Sequence, residues 1–293
     1  MSLSIVVPVF DEVMRIGKFL DCLKRQTVQA EVLFVDGGSD DGTIELIKSY
    51  GFDVILEMGQ RCPANARNQG IAAAKGDIIC VFNADTLIED DYAKKVIDAF
   101  EKNPDAECIT FMHELIVPHM SVWDETLFFR DIVAGYNGKH SVMRASVWKR
   151  LHYDSTMGFG EDRDMRKQVG ELKKVEVNET INYSETAAVG MFVKRCLWYG
   201  RTIPDYLKKN KDNKVAAYYV MAVLFPMSLL ALSPIATWLI LIAFCYGIYR
   251  MWQIYLKPYN SYCIQFIPFV EVAMFILIGL GFYQRFWKKT RGR

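Results

Sequence analysis

Acidic and amide side chains follow several short apolar runs in the first half of the chain. The sequence PVFDE places Asp11 and Glu12 after the first run, and Asp36 ends the second. The tripeptide Asn83-Ala84-Asp85, written NAD in one-letter code, follows the fourth run. The dinucleotide fingerprint GxGxxG is missing after the first run, and carboxylates there would repel a pyrophosphate. A nicotinamide or flavin site is therefore disfavoured, and these side chains are candidate acceptors for the hydrogen bonds of a base or ribose.

Asp36 and Asp85 each allow two interpretations. In VLFVDGGSDDGT, Asp36 can accept a uracil N–H or a ribose hydroxyl, or it can simply order a turn ahead of a helix. Asp85 in the NAD tripeptide can bind a divalent metal that bridges a diphosphate, because Mg²⁺ often takes one or two protein carboxylates and completes its shell with phosphate oxygens and water. The alternative for NAD is an Asn/Asp turn.

Two later motifs supply a cationic group and an acidic pair. RCPANARNQG places Arg61, Arg67 and Asn68 around a helix start, where backbone donors and guanidinium groups could hold a diphosphate. The alternative is that these arginines simply lie on a solvent-exposed face of the helix. GFGED provides Glu161 and Asp162, and a like-charged neighbour can raise one pKa toward that of a general base. Equally, acidic residues favour a helix N-terminus.

The elements that carry these residues alternate between strand and helix. The predicted strands are Ser4–Val9, Glu31–Asp36, Asp53–Glu57, Ile78–Asn83 and Ala106–Met112. The predicted amphipathic helices are Val13–Gln26, Thr43–Tyr50, Pro63–Ala74 and Asp91–Asn103. Such alternation predicts an open, mostly parallel α/β sheet of Rossmann type, whose ligands bind at the carboxyl ends of the strands. A loop, GYNGKH, and a strand-to-helix segment near 141–150 are expected further on.

Charge divides the chain unevenly. The 293 residues are 52% hydrophobic and carry a net charge of only +1, which excludes disorder. Residues 1–190 carry a net charge of −10, and residues from 191 onward carry +11. Because binding to nucleic acid draws on clustered Lys and Arg, the acidic first part makes nucleic acid an unexpected partner.

The last third predicts a membrane region. Val215 to Tyr249 contains no Asp, Glu, Lys or Arg, and Pro258 to Gln284 is interrupted only by Glu271. These lengths exceed the roughly 20 residues that span a bilayer, and two to three spans are expected. Residues 191–214 mix aromatic and basic side chains, as an amphipathic segment beside anionic lipid head groups would. The N-terminal residues lack a basic stretch followed by an apolar one, so a cytoplasmic head on an integral membrane protein is expected.

These observations predict three regions. Residues 1–190 form the head, with a nucleotide-binding half at 1–112 and an acceptor half at 113–190. Residues 191–214 form the juxtamembrane segment, and residues 215–293 form the membrane region.

Together the motifs resemble family 2 glycosyltransferases with a GT-A fold. SIVVPVFDE, VDGGSDDGT, ARNQGIAAAKGD, NAD and GFGED occur in that family's order and spacing, and WYGRTIPDYL is similar to a segment that precedes membrane helices in its membrane-attached members. The resemblance implies that Phe10 stacks on the base, that Asp11 and Asp36 bind base or ribose, and that Arg67 contacts the diphosphate. It also implies that Asp85 ligates Mg²⁺ or Mn²⁺.

In that family the carboxylate matching Asp162 deprotonates the acceptor, and the reaction inverts the anomeric configuration. The expected nucleotide-binding residues are Pro8, Phe10, Asp11, Glu12, Asp36, Arg67 and Asn68. The expected metal ligands are Asp85 and Asn83, and the expected catalytic residues are Asp162 and Glu161. Asn83 replaces the usual first aspartate, which makes metal dependence an open question, and the absence of QxxRW favours a non-processive enzyme.

The expected function is transfer of a sugar from a UDP- or GDP-sugar to a membrane-associated acceptor, such as a polyprenyl phosphate or a lipid-linked saccharide. Two alternatives remain open at this point. The chain could be a nucleotidyltransferase on a similar sheet, or a non-catalytic membrane scaffold that binds a nucleotide sugar.

Overall fold

The computed structural model describes residues 1–59, 62–115, 126, 139–170, 172–184, 189–230, 234–255 and 265–291. These residues divide into two compact units. Of the described residues, 1–115, 139–156 and 161–184 belong to the first unit, and 157–160 and 189–291 belong to the second. The head boundary at residue 190 and the two halves within it stay predictions.

The first unit has an α/β fold. Its strands are β1 (Leu3–Val9), β2 (Glu31–Asp36), β3 (Val54–Leu56), β4 (Ile78–Val81), β5 (Thr86–Ile88), β6 (Cys108–Leu115), β7 (Lys139–Arg144) and β8 (Lys174–Ser184). Its helices are α1 (Ile16–Lys24), α2 (Thr43–Ser49), α3 (Pro63–Ala73), α4 (Tyr92–Lys102), α5 (Ala145–Trp148) and α6 (Glu161–Gly170).

The strands form one sheet in the order β3-β2-β1-β4-β7-β6-β8-β5. The four strands β3, β2, β1 and β4 are mutually parallel, whereas β7 is antiparallel to both of its neighbours. Six of the seven residues of β1 are buried, as expected for a central strand with both faces covered. The carboxyl ends of β1, β2 and β4 therefore meet at one edge of the sheet, which is where Asp11, Asp36 and Asn83 follow.

The predicted α/β sheet is confirmed, and its elements lie within a few residues of their expected bounds. Glu31–Asp36 is a strand over that same range, and the helix expected at Pro63–Ala74 is Pro63–Ala73. Two strands were not predicted: β5 has only three residues, and β8 pairs with strands far away in the sequence. Most of the GYNGKH loop lies outside the described residues, and the strand-to-helix segment after it is β7 and α5.

The part of the second unit that the structure describes includes four long helices and the short turn Met157–Gly160. Its helices are α7 (Val189–Lys209), α8 (Asn213–Leu230), α9 (Pro234–Tyr255) and α10 (Ile267–Arg291). Their shared core contains Phe192, Ile203, Tyr219, Phe225, Val270, Phe275 and Ile278. A bidentate ion pair joins α7 to α10, because Arg285 donates to the two Asp205 carboxylate oxygens over 3.0 and 2.8 Å.

Large apolar side chains cover the outside of this unit. Trp238 is 66% exposed and Trp252 is 57% exposed on α9, and Phe269 on α10 is 62% exposed. Within the described part of the chain, one segment, Ile267–Arg285, is long and apolar enough to cross a membrane, and Asn213–Phe225 is a shorter apolar helix. The acidic residue noted in the last apolar run, Glu271, is buried and faces Arg250, with Oε1 at 3.8 Å from Nη1.

Candidate functional site

The loops that follow β1 and β2 are bonded to each other. Asp11 has a φ of 53°, and its N–H donates to Ser39 Oγ over 2.9 Å. The buried Asp36 carboxylate accepts from the N–H groups of Gly38 and Ser39 at 2.7 and 3.0 Å, and also from the Ser39 hydroxyl. Asp36 therefore orders its own turn, as one of its two interpretations predicted, while its role in nucleotide binding stays a prediction.

Phe10 presents an aromatic face beside this turn. It directly follows β1, is 58% exposed, and its side chain lies next to Gly37. The predicted stacking partner of a base is therefore accessible.

Arg67 on α3 is the centre of a polar cluster. Its Nη1 lies 3.3 Å from Glu161 Oε1 and 3.4 Å from Asp162 Oδ1, and its Nη2 lies 3.4 Å from Asn83 Oδ1. The ring of Tyr153 lies 5.1 Å from the guanidinium carbon, within the range of a cation–π contact. The structure thus brings together three of the groups that the sequence placed in separate motifs.

Asn68 holds the Tyr153 loop in place. Its side-chain amide donates to the Tyr153 carbonyl over 2.7 Å and accepts from the Tyr153 N–H over 2.9 Å. Both polar groups of the Asn68 amide thus bond to the backbone of the residue whose ring packs on Arg67, and the role of Asn68 in nucleotide binding stays a prediction. Tyr153 itself was not predicted, and its burial raises the pKa of its phenol well above the usual range.

The two carboxylates of the acidic pair differ in their surroundings. Glu161 is buried, whereas the side chain of Asp162 is 48% exposed. Burial raises the pKa of Glu161 to about 7; the nearby Asp162 charge adds to the rise, and Arg67 opposes it. A buried acid with a raised pKa thus lies next to an accessible carboxylate.

The NAD tripeptide has a second arginine beside it. Arg15 Nη1 lies 3.9 Å from Asp85 Oδ2, and its Nη2 forms an ion pair with Glu12. Burial raises the pKa of Glu12, Arg15 lowers it, and Asp85 raises it. Arg15 was not singled out in the sequence, although its spacing of three residues from Glu12 suits a local ion pair.

The donor chemistry of Asp85 and Asn83 suits a hard divalent cation. One carboxylate and one amide carbonyl are oxygen ligands, and Mg²⁺ bound to a nucleotide often needs no more from the protein. Within the residues that the structure describes, no group of three or more His, Cys, Asp and Glu side chains is arranged to hold a metal. A cation held by Asp85 and Asn83 would complete its shell with phosphate oxygens and water. The other predicted diphosphate contact, Arg61, lies outside the described residues.

The GFG turn that precedes the acidic pair packs on α7 within the second unit. The Phe159 N–H donates to Thr202 Oγ1 over 3.1 Å, and the Phe159 ring meets Tyr199 and Tyr206 edge to face. Gly160 has a φ of 89°, and a Cβ there would lie 2.3 Å from Tyr206 Cδ2. Glycine at 160 is thus required by both backbone conformation and close packing.

A family model, Glycosyl transferase family 2, matches residues 4–159, which carry β1 through the start of the GFG turn. The chain belongs to glycosyl transferase family 2. The fold and the order of motifs predicted from the sequence agree with this membership.

Two relatives of this family 2 chain match most of its length. The uncharacterized glycosyltransferase YfnE of Bacillus subtilis (strain 168) is 32% identical over 73% of this chain and 47% of its own length. A dolichyl N-acetyl-α-D-glucosaminyl phosphate 3-β-D-2,3-diacetamido-2,3-dideoxy-β-D-glucuronosyltransferase of Methanococcus voltae is 24% identical over 84% of this chain and 85% of its own length. For several curated relatives the chain covers less than half of the relative's length, from 21% to 47%.

Solved structures show the same fold. Staphylococcus aureus TarS, residues 1–349, in complex with UDP-GlcNAc matches with a TM-score of 0.53 and 13% identity, over 97% of this chain and 92% of that one. This likeness supports the GT-A architecture of the family 2 chain.

Proposed function

We propose that this family 2 chain is an inverting glycosyltransferase that moves a sugar from a nucleoside diphosphate donor to a hydroxyl or phosphate acceptor at a membrane. The observation that carries the proposal is the Arg67 cluster, in which a cation and an acidic pair lie beside the tripeptide that follows β4. In a GT-A sheet this is the edge where a donor binds.

Asp162 is the proposed general base, because it is the more accessible carboxylate of the pair. When the acceptor is a hydroxyl, its oxygen attacks the anomeric carbon while its proton passes to Asp162. A phosphate acceptor attacks through an ionised oxygen that has no proton to transfer. The bond from the anomeric carbon to the diphosphate oxygen breaks, and its electron pair leaves with the nucleoside diphosphate. Attack from the face opposite the leaving group inverts the anomeric configuration.

The remaining residues are assigned to the donor. Phe10 would stack on the base, with Pro8 shaping the strand beneath it. Asp11, Glu12 and Asp36 would accept hydrogen bonds from the base or ribose.

The diphosphate is assigned to cationic and metal-binding groups. Arg67 would release Glu161 and Asp162 to contact the diphosphate, with Asn68 supporting it through the Tyr153 loop. Asp85 and Asn83 would hold Mg²⁺ or Mn²⁺, which when bound stabilises the negative charge on the leaving diphosphate.

A UDP- or GDP-sugar is the proposed donor. UDP-GlcNAc is the ligand named for the TarS structure, which has the same fold. For the acceptor we propose a polyprenyl phosphate or a lipid-linked saccharide. A dolichyl phosphate sugar is named in the Methanococcus voltae relative, which this chain matches over most of both lengths.

Integral membrane attachment through two to three spans of α8 to α10 is part of the proposal. Its support is the candidate span Ile267–Arg285 and the exposed aromatic side chains of α9. Lys208, Lys209, Lys211 and Lys214 are exposed beside the start of α8, and basic residues at the end of a span favour the cytoplasmic side. The catalytic head would then face the cytoplasm.

A donor screen tests the function. Full-length protein in detergent is incubated with UDP- and GDP-sugars, with and without Mn²⁺ and a polyprenyl phosphate, and the released nucleotide is identified. We expect nucleoside diphosphate release together with label in an organic-extractable product. Label found only in soluble sugars would contradict the lipid acceptor, and release of inorganic diphosphate would indicate a nucleotidyltransferase.

A further inference from the structure

A guanidinium group lies beside each polar side chain of the NAD tripeptide. Arg67 Nη2 is 3.4 Å from Asn83 Oδ1, and Arg15 Nη1 is 3.9 Å from Asp85 Oδ2. The two arginines come from different elements, since Arg67 lies on α3 and Arg15 immediately precedes α1. The place at which a donor diphosphate would meet this chain is therefore flanked by two permanent positive charges.

The backbone and an ion pair hold Arg15 in this place. The N–H groups of Arg15 and Ile16 both donate to the Glu12 carbonyl over 2.9 Å, which forms a tight turn ahead of α1. The guanidinium is shared between Glu12 and Asp85, and its side chain is 33% exposed. Arg15 is thus oriented by the protein and still accessible to a ligand.

We propose that Arg15 is a further residue of the donor site: it pairs with Asp85 while the site is empty and turns to the diphosphate when a nucleotide binds. This inference rests on the proposed function, because it takes the diphosphate donor as the ligand. A guanidinium offers several N–H donors in a plane, and it matches two phosphate oxygens better than it matches one carboxylate oxygen at 3.9 Å.

Arg15 would compete with a metal ion for the Asp85 carboxylate. A divalent cation and the Arg15 guanidinium would both be attracted to the single Asp85 charge, and Asn83 supplies no second charge. Removing Arg15 should therefore have two opposite effects. Metal alone should bind more tightly, because a competing positive charge is gone, while nucleotide alone should bind more weakly, because a diphosphate contact is gone. A residue with a merely structural role would not move the two affinities in opposite directions.

The variant Arg15→Gln in the full-length protein tests this. Mn²⁺ binding without nucleotide is measured by electron paramagnetic resonance, and binding of UDP and of GDP in EDTA is measured by calorimetry. We expect the Kd for Mn²⁺ to fall at least about threefold, and the Kd for the preferred nucleotide to rise about tenfold, as loss of a charge-assisted hydrogen bond implies. Arg15→Lys should keep the competition with Mn²⁺ but recover only part of the nucleotide affinity.

Arg25→Gln is the matched control. Arg25 immediately follows α1 and pairs with Asp90 over 3.0 Å on an exposed surface, so the variant loses the same charge without touching the tripeptide. Both affinities should stay at the wild-type values. Asp85→Asn should weaken Mn²⁺ binding and remove the gain that Arg15→Gln produces.

The role of Arg15 and the proposed function can fail independently in these measurements. An Arg15→Gln protein with unchanged Mn²⁺ affinity, or with both affinities reduced, would overturn the role of Arg15. If the wild-type protein bound neither UDP nor GDP, the proposed donor would be wrong and Arg15 would have no diphosphate to contact. The Mn²⁺ arm would then still decide whether Arg15 competes for Asp85.

Discussion

Arg67 and Glu161 are 94 positions apart in the sequence, and their side chains form an ion pair of 3.3 Å that joins α3 to α6. Both side chains are buried, and the same guanidinium nitrogen also reaches Asp162. A diphosphate that binds Arg67 must therefore compete with two carboxylates. Donor binding and the charge state of the acidic pair are thus expected to be coupled.

Replacing the accessible carboxylate should stop turnover without weakening donor binding. For Asp162→Asn we expect turnover to fall by at least about 100-fold, the range in which a general base contributes. Nucleotide affinity should be kept or should increase, because the neutral amide keeps the shape of the side chain and no longer competes as an anion with the diphosphate for Arg67. Activity and calorimetry on the same preparation check this, and turnover at the wild-type rate would remove Asp162 from the mechanism.

The raised pKa of Glu161 should make the free energy of unfolding depend on pH. Because its pKa is about 7 in the folded chain and 4.5 ordinarily, the folded chain holds a proton that the unfolded chain releases between these values. This contribution to the free energy of unfolding is fully present below pH 4.5 and is lost as the pH rises through about 7.

Urea unfolding of the wild type and of Glu161→Gln from pH 4.5 to 8 measures this contribution. We expect the midpoint of the variant to fall less over this range, because the amide does not titrate. Glu45→Gln, which removes an exposed carboxylate on α2, should follow the wild-type curve. Parallel curves for the wild type and Glu161→Gln would contradict the raised pKa.

Phe10 should contribute to nucleotide affinity through its exposed ring. Stacking of a base on an aromatic side chain is worth about 1–3 kcal/mol, so Phe10→Ala should weaken nucleotide binding about tenfold or more. Phe10→Tyr keeps the ring and should bind as the wild type does. Calorimetry with UDP and GDP provides the measurement, and equal affinities in all three proteins would exclude stacking.

Gly160 should not tolerate a side chain. Its φ of 89° and the 2.3 Å approach to the Tyr206 ring make Gly160→Ala strained, at a cost of about 1–3 kcal/mol. Gly170→Ala is the control, because no atom lies within 4 Å of a Cβ there and alanine favours the helix. We expect a lower thermal midpoint only for Gly160→Ala; equal midpoints would contradict the packing described.

The first five predicted strands and four predicted helices could be found from the sequence because their signals are local. Glu31–Asp36 is an apolar run that ends at an Asp-Gly-Gly turn, and Pro63 marks the first turn of α3. β8 was missed because its partners β5 and β6 are distant in the sequence, and β5 was missed because three residues carry too little periodicity.

In the site, too, the residue types could be predicted from local sequence, whereas their contacts could not. The types of Asp36, Arg67, Asp85 and the acidic pair indicated a donor site, since each lies at or after the end of a strand or in the first two turns of a helix. The contacts between them depend on tertiary packing, so the sequence could not show that Arg67 pairs with Glu161 and Asp162. Nor could it show that Arg15 lies beside Asp85, because the two residues are 70 positions apart.

The four residues Met157–Gly160 belong to the second unit, and the chain returns to the first unit at Glu161. A truncation that ends ahead of α7 would therefore leave Phe159 without the aromatic neighbours that cover it, two positions before the helix that carries the acidic pair. Neither unit is a continuous stretch of sequence. Protein engineers who want a fragment without the apolar helices will need to retain α7 or rebuild the surface under this turn.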